Sequence, residues 1–157
     1  MAAQEAGERF KGAAWPVDLA VILVANLVNL IMVLVFLSRT ELIPDTQVAS
    51  WIWALFSLVL LAAAGLNLRA KRDWWAAGLP ALLALFLVVE IVLDYILQFD
   101  FRSTRWLGPY LLLYYLSILG MVGYSFLAGK KYGVITLLTY FLSQIAALYS
   151  YFTVGHG

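Results

Sequence analysis

The chain contains 157 residues, of which 64% are hydrophobic and 12% are charged, and its mean hydropathy is +0.92. Ordinary soluble domains are about 45–50% apolar and about 25% charged, so the composition excludes that class, and it also excludes a disordered chain. The net charge of +1 gives no reason to expect a nucleic-acid partner. The chain has no cysteine, and its single histidine, His156, precedes the last residue. We therefore expect neither a metal ion nor another cofactor.

Five uninterrupted apolar runs follow one another along the chain. Each is long enough to cross a membrane core, which takes about 20 helical residues. Short polar links separate the runs, and such links favour antiparallel neighbours in an up-and-down bundle. The sequence therefore predicts an all-α integral membrane protein with a five-helix transmembrane bundle at 16–154, a cytoplasmic segment at 1–15 and a tail at 155–157. The predicted spans are 17–38, 48–68, 74–99, 106–127 and 133–154.

Lysine and arginine are distributed unequally between the two ends of this predicted bundle. Seven lie at the end where the first helix begins, and three lie at the other end. Because links rich in Lys and Arg stay in the cytoplasm, the N-terminus is predicted to be cytoplasmic and the C-terminus outside, with the chain in the plasma (inner) membrane. The seven are Arg9, Lys11, Arg69, Lys71, Arg72, Lys130 and Lys131, and the three are Arg39, Arg102 and Arg105.

Two carboxylates, Glu90 and Asp94, lie inside the third predicted span. A charged residue at mid-bilayer costs about 2.5–3.5 kcal/mol on insertion scales and usually faces the bundle interior. The two residues are four positions apart, so they share one face of a helix, with Glu90 near the midplane. Two carboxylates side by side in a medium of low dielectric constant do not both ionise easily, so one of them is expected to carry a proton.

Other polar side chains are predicted at a similar depth on the first, fourth and fifth helices. Together with Glu90 and Asp94 they form a candidate ligand-binding set. Each also has a purely structural interpretation, because amides join helices by hydrogen bonds and tyrosines pack at the boundary between apolar and polar regions. We further expect Gly120 or Gly123 to lie at a helix contact in a tight hairpin of the last two helices. The additional candidate residues are Asn26, Asn29, Tyr114, Ser117, Tyr140, Ser143 and Gln144.

These observations favour a small membrane protein with an acidic, tyrosine-rich interior that binds or transports a cationic, protonatable or amphiphilic ligand. Glu90 would be the main anion and Asp94 its coupled partner. One alternative is an enzyme in which a protonated Glu90, assisted by Asp94, acts as general acid on a lipid or isoprenoid. Another is a non-catalytic subunit of a larger membrane complex. The expected partners are the lipid bilayer, a small-molecule or lipid ligand, and either further copies of the chain or other subunits.

Overall fold

A computed structural model describes residues 15–40, 48–99 and 104–154. These residues form an all-helical bundle, and five of its helices are long and apolar enough to cross a membrane, which confirms the predicted class. Most of the predicted N-terminal segment, 1–14, and the tail, 155–157, lie outside the described residues. The helices are α1 (Trp15–Ser38), α2 (Val48–Arg69), α3 (Trp74–Glu90), α4 (Leu107–Ala128) and α5 (Lys130–Val154).

The five helices form a closed ring. Each helix packs against the next one along the chain, and α5 returns to pack against α1; α1 also touches α4 across the ring. Helix directions alternate, and the number of helices is odd, so α1, α3 and α5 run in the same direction. We call the end where α1 begins the N-terminal end, and the end where α5 finishes the C-terminal end.

The interior of the ring is filled by aliphatic and aromatic side chains. Trp53 illustrates how the helical period selects them, because it is fully buried while Trp51, two positions earlier and on the opposite side of α2, is exposed. The outward faces carry exposed Leu, Ile and Phe side chains, as expected for helices that contact lipid. The fully or nearly fully buried apolar side chains include Val21, Val28, Met32, Leu60, Leu83, Phe86, Leu87, Ile118 and Met121.

Two irregular features shape α3. Pro80 has no N–H group, so the carbonyl of Ala76, four residues earlier, loses its helical partner. The side chain of Asn67 in α2 replaces that partner, since its Nδ2 donates to the Ala76 carbonyl at 2.7 Å. After Glu90 the helix widens into a π-helical turn over Ile91–Ile96, which we call the π turn. Turns of this kind occur frequently at functional sites.

Glycines permit close helix contacts, although at positions that differ in part from those expected. Gly120 faces α3, where an added Cβ would lie 2.9 Å from Cδ2 of Leu79. Gly123, by contrast, has open space around it. In the α4–α5 hairpin the close approach occurs at Gly133, where an added Cβ would overlap the ring of Phe126. The small residue that the hairpin requires therefore lies on α5 rather than on α4.

This geometry predicts opposite outcomes for two glycine substitutions. Gly133→Ala forces the Phe126 ring out of place and should lower the free energy of unfolding in detergent by about 1–3 kcal/mol. Gly123→Ala adds a methyl group where there is space and should leave stability equal or slightly higher, because Ala is the better helix former. Thermal unfolding of the two variants measures the difference. Equal melting temperatures would contradict the close contact at Gly133.

Candidate functional site

Glu90 lies at the junction between α3 and the π turn and is only 2% exposed. The hydroxyl of Tyr110 donates a hydrogen bond to its Oε2 atom at 2.5 Å. Tyr110 lies in the first turn of α4, so the bond joins the end of α3 to the start of α4. The bundle thus holds the carboxyl group of Glu90 at a fixed place between two helices.

Aromatic rings lie beside this carboxylate. Phe86, one turn before Glu90 on α3, has its ring centroid 5.9 Å from that of Tyr110 and 5.4 Å from that of Tyr114. Tyr115 continues the series, with its ring 5.0 Å from that of Tyr114. Aromatic faces attract cations, most strongly where water is excluded. We call Glu90, Phe86, Tyr110 and Tyr114 the acidic-aromatic site.

Hydrogen bonds extend this site to α5. Nε2 of Gln144 donates to the Tyr114 hydroxyl at 2.8 Å and lies 3.4 Å from Oγ of Ser143. The hydroxyl of Ser143 in turn donates to the backbone carbonyl of Tyr140 at 2.8 Å. The structure therefore brings together the side chains of Tyr114, Ser143 and Gln144, and Tyr140 joins them through its backbone carbonyl. The ring of Phe86, which packs against both Tyr114 and Tyr110, connects this group to the Tyr110–Glu90 hydrogen bond.

The other predicted polar residues make different contacts. Asn26 donates to Oγ1 of Thr136 at 3.0 Å, and Asn29 donates to Oγ1 of Thr139 at 3.0 Å. These two bonds join α1 to α5. Ser117 donates to the backbone carbonyl of Leu113 in its own helix at 2.7 Å, and it also lies 3.2 Å from a carbonyl oxygen of α3. The contacts of all three residues hold neighbouring helices together.

Asp94 lies in the π turn, where its Oδ2 is 3.7 Å from a guanidinium nitrogen of Arg39. Arg39 follows the last residue of α1, and its guanidinium also lies over the ring of Phe36 at 5.3 Å. The side chains of Arg39 and Asp94 are 21% and 18% exposed. We call these two residues the C-terminal pair. Glu90 and Asp94, which the sequence analysis treated as one unit, thus have different partners on different helices.

A second ion pair, which the sequence analysis did not identify, lies at the N-terminal end. Asp18, in the first turn of α1, has a completely buried side chain. Arg72, in the link between α2 and α3, donates to both of its oxygens, at 2.7 and 3.1 Å, and the hydroxyl of Tyr124 donates to Oδ1 at 2.5 Å. We call Asp18, Arg72 and Tyr124 the N-terminal clasp. It ties α1, the α2–α3 link and α4 together.

The surroundings of Arg72 keep its guanidinium charged. Burial alone lowers the pKa of Arg72, but the hydrogen bonds and the negative charge of Asp18 outweigh burial, so the pKa of Arg72 is raised. Nη1 of Arg72 also donates to Oδ1 of Asn67 at 2.8 Å. Since Nδ2 of Asn67 donates to the carbonyl that Pro80 leaves unpaired, one amide connects the clasp to the proline of α3.

One sequence signal pointed towards the clasp. In an up-and-down bundle the first turn of α1 and the α2–α3 link lie at the same end, so Asp18 is expected close to a link that is rich in Lys and Arg. The sequence does not say whether Arg69, Lys71 or Arg72 is its partner. That choice depends on the left-handed backbone of Lys71, with φ of 51°, which ends α2 and redirects the chain before Arg72.

Among the described residues, no group of three His, Cys, Asp or Glu side chains is arranged to hold a metal ion. Comparisons of the chain with protein-family models, with curated proteins and with solved structures find no match.

The clasp makes a prediction about stability. Asp18→Asn leaves the partly buried guanidinium of Arg72 without its counter-charge and should cost about 3–5 kcal/mol of unfolding free energy. Asp73→Asn, which changes an exposed acid next to Arg72, is the matched control and should have little effect. The measurement is unfolding of each purified variant in detergent. Equal, small losses of unfolding free energy in the two variants would contradict a stabilising role for the buried Asp18–Arg72 pair.

Proposed function

We propose that this membrane protein binds a small organic cation, amphiphilic or protonatable, at the acidic-aromatic site. The observation that supports the proposal is the buried Glu90 carboxylate, held by a phenol at 2.5 Å and flanked by aromatic rings at a helix junction. An intramembrane carboxylate is costly to insert, and such residues commonly mark ligand or ion pathways. Binding of the cation at this site is the step common to a protein that transports the cation and to one that only binds it.

The aromatic surroundings favour an organic cation over a metal ion. Hard metal ions require several oxygen ligands arranged around one point. The acidic-aromatic site instead offers one carboxylate together with the rings of Phe86, Tyr110 and Tyr114, groups that attract an organic cation. Tyr110 and Gln144 supply polar atoms that orient such a ligand.

The π turn also supports a functional assignment. A π-helical turn is rare in proteins and is found frequently at functional sites. Here the turn begins directly after Glu90 and contains Asp94. It therefore connects the acidic-aromatic site to the C-terminal pair, and a change in its winding would alter both.

The proposal predicts that the charge of Glu90 is required for binding. Glu90→Gln keeps the size of the side chain but removes the charge, and it should weaken binding of tetraphenylphosphonium roughly 10–100-fold, the equivalent of one charge-assisted contact. Tyr110→Phe, which removes the hydroxyl that holds Glu90, should have a smaller effect. Equilibrium binding to purified protein in nanodiscs measures both, with Asp73→Asn as the exposed-acid control.

Wild-type affinity in a folded Glu90→Gln variant would overturn the proposal. If no binding is found with the wild type, the two alternatives from the sequence are tested in the same preparation. Turnover of an added lipid or isoprenoid pool that depends on Glu90 would indicate an enzyme with a carboxyl general acid. Co-purification of other chains in fixed proportion would indicate a subunit of a larger complex.

We also propose that the N-terminal end of the bundle faces the cytoplasm of a cell whose plasma membrane holds the protein. The support is the excess of Lys and Arg at that end, seven against three. Arg72 is neutralised by Asp18 within the clasp, and Arg39 is neutralised by Asp94 at the other end, so the asymmetry does not depend on the two paired arginines.

The orientation is tested by placing a protease-cleavable tag at either end of the chain in intact cells. A C-terminal tag should be cleaved by external protease, and an N-terminal tag should be cleaved only after the cells are opened. Cleavage of both tags from the same side would contradict five spans, because an odd number of crossings separates the termini.

A further inference from the structure

We propose that two copies of this chain associate in the membrane through the outer face of the α4–α5 hairpin, at the level of Tyr115, Tyr140 and Gln144. We call these three residues the polar seam. The proposal goes beyond cation binding at the acidic-aromatic site, and its test uses no cation. Binding of a cation and association through the polar seam therefore succeed or fail separately.

The polar seam lies well inside the predicted membrane core. At about 1.5 Å per residue, Tyr115 lies about 12 Å from the start of α4, and Gln144 lies about 15 Å from the end of α5. By the same rise, Tyr140 lies about 15 Å from the start of α5. Tyr115 is 40% exposed, and Tyr140 and Gln144 are partly buried. Because the core is about 30 Å thick, all three side chains lie at the depth of the lipid acyl chains.

The other three helices present leucine to their surroundings at this depth. Leu27 of α1, Leu58 of α2 and Leu85 of α3 lie near the middle of their helices and are exposed. Leucine suits acyl chains, which neither donate nor accept hydrogen bonds. Exposed phenol and amide groups at the same depth are instead expected where a further polypeptide covers them, since polar side chains join helices within membranes.

The hydrogen bonds of the polar seam are incomplete. The hydroxyl of Tyr115 donates to Oε1 of Gln144 at 3.4 Å, longer than the distance of about 2.5–3.0 Å that is usual for a hydroxyl donor. Nε2 of Gln144 is engaged by Tyr114 at 2.8 Å, which leaves Oε1 able to accept a second, shorter bond. Among the described residues, no group donates to or accepts from the hydroxyl of Tyr140. The seam therefore has both a donor and acceptors available for a partner.

This set of groups is complementary to itself, which favours a second copy as the partner. Two copies inserted in the same orientation are related by a two-fold axis along the membrane normal, so each residue meets residues of its own depth. Tyr115 and Gln144 share a depth because they are within hydrogen-bond distance, and Tyr140 lies one helical turn from Gln144. An identical face thus offers its hydroxyl donors to amide and phenol acceptors at matching depths, and symmetry forms each bond twice.

Cysteine cross-linking tests which face is used, because the natural chain has no cysteine. Leu148→Cys places a thiol on an exposed position of α5, one turn after Gln144, and Leu58→Cys places one at the exposed mid-depth position of α2. Each variant is treated with a short bis-maleimide in native membranes. We expect a covalent dimer of the chain with the cysteine at position 148 and at least tenfold less with the cysteine at position 58.

Removal of two hydroxyls tests the hydrogen bonds themselves. The double variant Tyr115→Phe, Tyr140→Phe should raise the dimer dissociation constant in lipid vesicles roughly tenfold, because interhelical bonds are lost from both copies. Tyr149→Phe, which removes an exposed hydroxyl from another face of α5, is the matched control and should leave the constant unchanged. Energy transfer between donor-labelled and acceptor-labelled copies, measured over a range of protein-to-lipid ratios, gives the constant, and melting temperatures confirm that the variants are folded.

Several results would overturn the proposal. They are the absence of a cross-linked dimer at position 148, equal cross-linking at position 58, a cross-linked product that contains a different protein, and an unchanged dissociation constant in the folded double variant. Failure of tetraphenylphosphonium to bind, with cross-linking and energy transfer as expected, would instead count against the proposed function alone.

Discussion

A charged side chain is stable inside an apolar bundle only where it pairs with an opposite charge or makes a hydrogen bond. The charged residues at both ends of α1 are paired in this way. Its acid, Asp18, pairs with Arg72 before α3, and the arginine that follows it, Arg39, pairs with Asp94 in the π turn after α3. Asp18 and Arg39 are 21 residues apart in sequence, and Arg72 and Asp94 are 22 apart. Two parallel segments of matching length are therefore joined at both ends by ion pairs of opposite polarity.

This arrangement fixes the register of the bundle. Helices α1 and α3 are not neighbours in the ring, so the long arginine side chains reach across its ends. A shift of α3 by one turn, about 5.4 Å, would break both pairs and leave the fully buried carboxylate of Asp18 without its counter-charge. With α3 held in place, Glu90 lies opposite Tyr110 at the start of α4. The Asn67 amide adds a further link, because it joins Arg72 to the backbone carbonyl that Pro80 leaves unpaired.

The sequence predicts the helices well because length and hydropathy alone determine them, and the structure has five apolar helices where five apolar runs occur. It also identifies Glu90 and Asp94 as exceptional, since carboxylates in apolar segments are rare. It does not predict their partners. Packing alone brings Tyr110 next to Glu90 and Arg39 next to Asp94. The π turn, which alters side-chain directions after Glu90, has no periodic signal in the sequence. Trp53, which resembles a membrane-interface residue in sequence, is buried because of its helix face alone.

Asp18 shows more clearly that the sequence does not predict the partners of buried charges. In sequence it resembles an ordinary first-turn acid that favours the helix dipole, and the basic link after α2 resembles an ordinary determinant of topology. Only the closed ring brings these two features and Tyr124 to one point. Charges that appear to be peripheral in sequence therefore hold the bundle together, whereas several polar residues predicted at mid-depth, such as Asn26 and Asn29, join neighbouring helices.

The central claim is that Glu90 is the anion that meets an organic cation. The chain contains only four glutamates, Glu5, Glu8, Glu41 and Glu90, so labelling their side-chain carboxyl carbons with ¹³C gives a spectrum with few signals. The Glu90 signal is assigned by its loss in Glu90→Gln, and tetraphenylphosphonium is then titrated into wild-type protein in nanodiscs. The account predicts that the Glu90 signal shifts and saturates while the other three do not move. A Glu90 signal that stays in place as the cation binds would contradict it.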